Sequence, residues 1–128
     1  MLILVTGSRS WQARKVLRAR LEKVGQEFDL MHGGAPGVDT IAGEEYFDLT
    51  RKKPIVVRPK YNKYYFKIAP KMRNVEMCEL AEARQKAGEE VLVIGFKDLN
   101  SATGGTLHCI EAAKEHGLTV ELIRAFAS

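Results

Sequence analysis

Two uninterrupted apolar runs, Leu2-Ile3-Leu4-Val5 and Val91-Leu92-Val93-Ile94-Gly95-Phe96, constrain the fold of this chain more than any other feature. A strand with one wet face alternates apolar and polar residues. A run without alternation belongs to a strand covered on both faces, as in a parallel sheet sandwiched between helices. Apolar residues at Ala13, Val16, Leu17, Leu21 and Val24 predict a helix over 13–24 with a basic outer face and Gly25 as its C-terminal stop. A second strand over 28–32 precedes a helix over 38–50. A third strand over 54–58 leads into an irregular stretch, then a helix over 70–86 with Pro70 in its first turn. The second long apolar run is followed by a helix over 103–116, closed by Gly117, and a fifth strand over 118–123. This alternation predicts an α/β chain: one parallel sheet of about five strands with helices on both faces. With 128 residues, the chain is expected to form a single domain, 1–128.

Three strand ends share one grammar: strand, bare turn, helix start. They are Thr6-Gly7-Ser8-Arg9-Ser10-Trp11, His32-Gly33-Gly34-Ala35-Pro36-Gly37-Val38-Asp39 and Asn100-Ser101-Ala102-Thr103-Gly104-Gly105-Thr106. In a parallel sheet these turns lie along one edge, at the carboxyl ends of the strands. Glycines let backbone N–H groups approach a ligand, and a following helix presents the positive end of its dipole, so a phosphate or another anion suits the edge. Familiar phosphate motifs are absent. The first turn lacks the spaced glycines of a dinucleotide fingerprint, and no turn has the Lys-Ser/Thr ending of a Walker A loop. No serine sits in a nucleophile elbow, no His/Asp/Glu set has metal spacing, and nothing implies a cofactor.

Several residues carry two readings. Arg9 forks onto a phosphate or is a solvated loop arginine. Trp11 stacks on a base or anchors the start of the first helix in the core. Asp39 caps the second helix or holds a ribose hydroxyl. Arg73 and Asn74, in the first turn of the third helix, fall near the same edge, and apolar Met72 and Val75 beside Arg73 favour a buried, ligand-facing arginine. Ser101, Thr103 and Thr106 flank Gly104 and Gly105 with hydroxyls that cap a helix or bond phosphate. Between 60 and 67, Lys60, Lys63 and Lys67 interleave with Tyr61, Tyr64, Tyr65 and Phe66. That composition fits a single-stranded nucleic-acid groove, or a lid over a small ligand.

Bulk properties narrow the field. A net charge of +4 suits an anionic ligand but is too weak to imply nucleic acid by itself. The two cysteines, Cys78 and Cys109, are far apart in sequence and lack metal or redox spacing, so they read as reduced thiols in helices. No stretch approaches the roughly 18 apolar residues of a membrane span, and the apolar start breaks at Thr6-Gly7, unlike a signal peptide. A cytoplasmic protein is expected, with no membrane partner.

The four motifs Leu4-Val5-Thr6-Gly7-Ser8-Arg9-Ser10-Trp11, 32–42, Met72-Arg73-Asn74-Val75-Glu76-Met77 and 101–106 occur in an order that resembles the SLOG superfamily, in particular its YspA-like branch of bacteria and phages. The resemblance covers nearly the whole chain. It implies a Rossmann-like domain that binds nucleotides or nucleotide-derived ligands. Relatives in that superfamily include the LOG phosphoribohydrolases, which cleave a base from a nucleoside monophosphate, and the DprA group, which binds single-stranded DNA. LOG enzymes pair an arginine on the third helix with a glutamate three residues after the Gly-Thr of their glycine-rich motif. Arg73 matches the arginine, whereas Cys109 occupies the glutamate position, preceded by His108. Glu111 lies about 200° around the helix from that position and faces away.

The ligand-binding set expected from these readings is Gly7, Ser8, Arg9, Trp11, Gly33, Gly34, Ala35, Asp39, Arg73, Asn74, Ser101, Thr103, Gly104, Gly105 and Thr106. Binding of a nucleotide for sensing, sequestration or processing is the leading expectation. The alternatives are an N-glycosidic hydrolase using Arg73 with Glu76 or Asp39, and a single-stranded DNA binder using 60–67. The resemblance also implies a homodimer or higher homo-oligomer, with helices such as the third and fourth at the interface. Met72, Met77, Cys78 and Leu80 give the third helix more apolar surface than one face needs.

Overall fold

In the computed structural model, which describes residues 1–102 and 104–128, strands and helices alternate without exception. They run β1 (Leu2–Gly7), α1 (Arg14–Val24), β2 (Asp29–His32), α2 (Val38–Thr50), β3 (Ile55–Val56), α3 (Ala69–Lys86), β4 (Val91–Asp98), α4 (Gly105–Glu115) and β5 (Thr119–Ala125). All pairings are parallel, in the order β3-β2-β1-β4-β5. This is a Rossmann-like arrangement with a five-stranded sheet. The chain builds outward from β1 through β2 to β3, then returns across β1 to lay β4 on its other side. Strand order therefore reverses between β1 and β4, where open α/β sheets form their ligand crevice.

Side-chain alternation along β1 divides the interior into two layers. Ile3 and Val5 enter one core with Leu17 and Leu21 of α1 and Val38, Ala42 and Tyr46 of α2. Leu2 and Leu4 enter the other with Met77, Cys78 and Ala81 of α3 and Cys109, Ile110 and Ala113 of α4. Both layers are fully apolar along β1, which accounts for the unbroken run in the sequence. None of the described helices is long and apolar enough to cross a membrane.

Element boundaries agree with the sequence pattern to within two residues, and the largest proportional change is in β3. There the expected strand over 54–58 shrinks to Ile55–Val56. β3 is an edge strand flanked by Pro54 and Pro59, which have no N–H to give a ladder, and only Val57 N–H extends the pairing, to His32 C=O at 2.9 Å. On α3, Met77 and Cys78 are consumed by the core, so of the four apolar residues counted as surplus only Leu80 is exposed and Met72 half-buried.

Candidate functional site

At the β1/β4 switch point lies a cavity of about 740 Å³, lined by the turn after β1, the start of α3 and the start of α4. Two contacts hold its walls in place. Ser8 N–H donates to Phe96 C=O at 3.0 Å, carrying the β1/β4 ladder one residue past the strand. Val38 N–H donates to Ser8 C=O at 3.3 Å, which brings the first turn against the start of α2. That approach requires glycine at 37: its φ is +79°, and a Cβ would run into the carbonyls of Ser8 and Arg9.

Asp98, at the end of β4, locks the turns from below. Its carboxylate accepts from the Ser10 hydroxyl, from Asn100 N–H at 3.0 Å and from Ala127 N–H at 3.1 Å. Its own N–H donates to Ser8 Oγ at 2.9 Å. These donors hold the carboxyl down at about 2, so it stays ionised across the ordinary pH range. Asp98 was not singled out from sequence. Its signal is local, an aspartate two residues before an N–H it can accept, which is the Asx-turn pattern.

The glycine turn after β2 is filled by the protein itself. Arg73 reaches across from α3 to donate through Nη1 to Gly33 C=O, and a Cβ on Gly33 would collide with that guanidinium. Arg58 lies against Gly34 in the same way. Asp39 does not cap α2. Its Oδ2 instead accepts Gly33 N–H at 3.1 Å and Ala35 N–H at 3.2 Å, closing the turn over the helix start. Burial pushes its carboxyl up to about 6 against the opposing pull of those two amides and of Arg73. His32 accepts Gly34 N–H at Nδ1, 2.9 Å away, which places the ring proton on Nε2. Burial, with the charges of Arg58 and Arg73 nearby, pushes His32 down to about 4, so the ring is neutral at pH 7.

A polar chain crosses the cavity floor. Arg73 Nε donates to Asn74 Oδ1 at 3.0 Å, and Asn74 Nδ2 lies 3.2 Å from His108 Nδ1. Burial lowers the Arg73 pKa, yet a guanidinium in this setting remains charged, and it keeps N–H donors beyond those already engaged. Among the described lining residues Asp39 is the only carboxylate, against Arg9, Lys67, Lys71 and Arg73. Elsewhere on the surface four arginines are matched, Arg14 to Glu44, Arg18 to Asp48, Arg20 to Glu121 and Arg84 to Glu89, while Arg51 lies over the Phe47 ring and Arg124 is in no ion pair among the described residues. Among the described residues, no carboxylate is in ion-pair contact with Arg9, Arg58 or Lys71. The start of α4 is open: a Cβ on Gly104 or Gly105 would meet nothing within 4 Å.

Most of the expected site residues converge here. Gly7, Ser8, Arg9, Ala35, Asp39, Arg73, Asn74, Ser101, Gly104, Gly105 and Thr106 all line the cavity, while Thr103 lies outside the described residues. Trp11 does not belong with them. It is 1% exposed, packs edge-on against Phe96 with ring centroids 5.5 Å apart, and donates from Nε1 to Ala13 C=O at 3.0 Å. Its ring belongs to the core under the turn. Gly33 and Gly34 line a smaller neighbouring cavity instead. Glu76 points out of the site and pairs with Lys60 at 2.9 Å, so it is not the acid that a hydrolase would need.

Cys109, at the position where the resemblance places a glutamate, is fully buried. The neighbouring Cys78 thiol and Thr6 hydroxyl lower its pKa, and Cys109 in turn raises that of Cys78. The two thiols, distant in sequence, meet where α3 packs on α4. Sequence reasoning missed His108, Lys71 and Thr6 as lining residues. The first two follow from helical spacing, since each falls within the first turns of a helix whose N-terminus borders the cavity.

No family model matches the chain, and no curated protein matches it by sequence. Among solved structures it is similar to the C-terminal domain of a hydrogenase from Pyrococcus furiosus. The identity is 18%, with a TM-score of 0.53 over 94% of this chain and 89% of that one. At that identity the likeness concerns the fold.

Proposed function

We propose that this chain binds a nucleotide or nucleotide-derived ligand at the carboxyl edge of its sheet. The observation that carries the reading is the cavity at the β1/β4 switch point, with unpaired cations on its walls and an open glycine pair at the start of α4. A phosphate over Gly104 and Gly105 meets first-turn N–H groups that have no partner within the helix, together with the Thr106 hydroxyl. Arg9 and Arg73 supply the neutralising charge and Lys71 closes the rim. The apolar part of the lining, with Met77 and Pro70, suits a base or sugar.

A thermal-shift panel of nucleoside monophosphates tests this. Ligand at about a hundred times its dissociation constant adds roughly 2.7 kcal/mol, several degrees for a domain of this size. No shift with any nucleotide contradicts the reading.

A second reading, hydrolysis of the N-glycosidic bond, is favoured by one residue. Asp39 is a buried carboxyl beside Arg73 whose pKa of about 6 suits proton transfer near neutrality. It would take a proton from water as the oxygen bonds to the sugar carbon and the base departs with the bonding pair. Free base appearing in a mass-spectrometric assay with the wild type but not with Asp39→Asn supports it. Release that survives the substitution contradicts it.

A further inference from the structure

A second cavity, of about 330 Å³, opens beside the first and shares Arg9, Ala35 and Arg73 with it as a common wall. Its remaining lining is Gly33, Gly34, Pro36, Arg58, Pro59 and Tyr61, so three guanidinium groups face it and no carboxylate does. Arg58 is held there by backbone geometry. Pro59 follows it, β3 ends two residues before it, and its guanidinium rests against the bare Gly34, whose φ of +73° admits no ordinary side chain. Away from the cavities Arg14, Arg18, Arg20 and Arg84 each pair with a carboxylate and Arg51 lies over the Phe47 ring, while among the described residues the exposed Arg124 is in no ion pair. Among the described residues Arg9 and Arg58 have no carboxylate partner, and the nearby His32 is a neutral ring that offers Arg58 no counter-charge. Tyr61 stands at the mouth, 58% exposed, an uncommitted aromatic face beside two cations.

We infer that the ligand is longer than one nucleotide: a dinucleotide with one phosphate over Gly104 and Gly105, its second phosphate between Arg9 and Arg58, and its second base on Tyr61. The inference rests on the nucleotide reading of the main cavity. Two features set this class apart from a mononucleotide. The arginines of the shared wall face both cavities at once, which suits a ligand running from one into the other. The second cavity also pairs an anion site with an aromatic platform, and a phosphate-linked base needs both.

Isothermal titration separates the possibilities, with AMP, GMP, CMP and UMP compared against the matching 5′-phosphorylated dinucleotides. One arginine–phosphate contact corresponds to about tenfold in affinity, so the preferred dinucleotide binds about tenfold or more tighter than its mononucleotide. Arg58→Gln removes most of that gain and Tyr61→Ala removes part of it, while both leave mononucleotide affinity as it was. Arg58 and Tyr61 are exposed, and an unchanged thermal midpoint verifies that each variant folds. Equal affinities for the two ligand lengths, or a gain that survives Arg58→Gln, overturn the dinucleotide while leaving the mononucleotide site standing. Failure of every nucleotide to bind overturns both readings together.

Discussion

Two glycine pairs, Gly33-Gly34 after β2 and Gly104-Gly105 before α4, look alike in the sequence and do opposite things in the fold. The first pair is closed: Arg73 and Arg58 occupy the space its missing side chains leave, and Asp39 and His32 bind its amides. The second pair is open: among the described residues, nothing beyond the glycines' own chain neighbours and helix backbone lies within 4 Å of the place a Cβ would take. Bare backbone therefore means two things in one molecule. At 33–34 it lets the protein pack its own cations against a turn. At 104–105 it leaves open space beside the start of α4.

The strongest way to break that contrast is to remove the arginine that fills the closed pair. Arg73→Ala withdraws the cation from both cavities and leaves Gly33 C=O without its donor. Nucleotide affinity is expected to fall by about a hundredfold, the scale of a buried charge-assisted contact, and titration calorimetry reads it. Retained affinity would mean that Arg73 serves packing alone.

Acid titration probes the same turn. His32, at about 4, is depressed below its unfolded value, so it binds fewer protons than the unfolded chain and costs stability as pH falls from about 6.5 to 4. Asp39, at about 6, is raised above its unfolded value, so its contribution is fully present below about 4 and is lost as pH rises through 6. The two slopes oppose one another in the same window, so the contributions of His32 and Asp39 largely cancel there. Asp39→Asn keeps an amide oxygen for the Gly33 and Ala35 N–H groups and removes one slope. Denaturant melts of that variant should gain stability from pH 4 to 6.5 by up to about 3 kcal/mol. A variant whose stability varies with pH no more than that of the wild type contradicts the assignment of His32 as a neutral ring.

Alanine at each pair then sharpens the comparison directly. Gly33→Ala forces Arg73 aside and is expected to destabilise by about 1–3 kcal/mol, as overpacking does. Gly105→Ala has room and sits in the first turn of a helix, so it is expected to stabilise by about 0.5–1 kcal/mol while weakening phosphate binding. Opposite signs in one thermal-melt experiment bear out the closed and open assignments; equal signs undo them.

Much of the architecture was legible because it depends on local pattern. The unbroken runs at 2–5 and 91–96 mark strands buried on both faces, and the helical periods between them set the crossovers. The converging turns were legible too, since any parallel sheet gathers its strand ends on one edge. Partner choice was not. Nothing local says that Glu76 is taken by Lys60, that Trp11 turns inward onto Phe96, or that Asp39 accepts loop amides rather than capping α2. Those outcomes rest on residues brought together from distant elements. The closed state of Gly33 belongs with them, since the side chain that fills it comes from another helix.

The central claim is that a nucleotide phosphate sits over the open pair, and amide chemical shifts report on it most directly. Titration of the ¹⁵N-labelled protein with a nucleoside monophosphate should move the Gly104, Gly105 and Thr106 resonances most, with Arg9 following and Gly33 and Gly34 moving little. Shifts confined to 60–67, or none around α4, would contradict the account and place whatever binds on the basic aromatic loop instead.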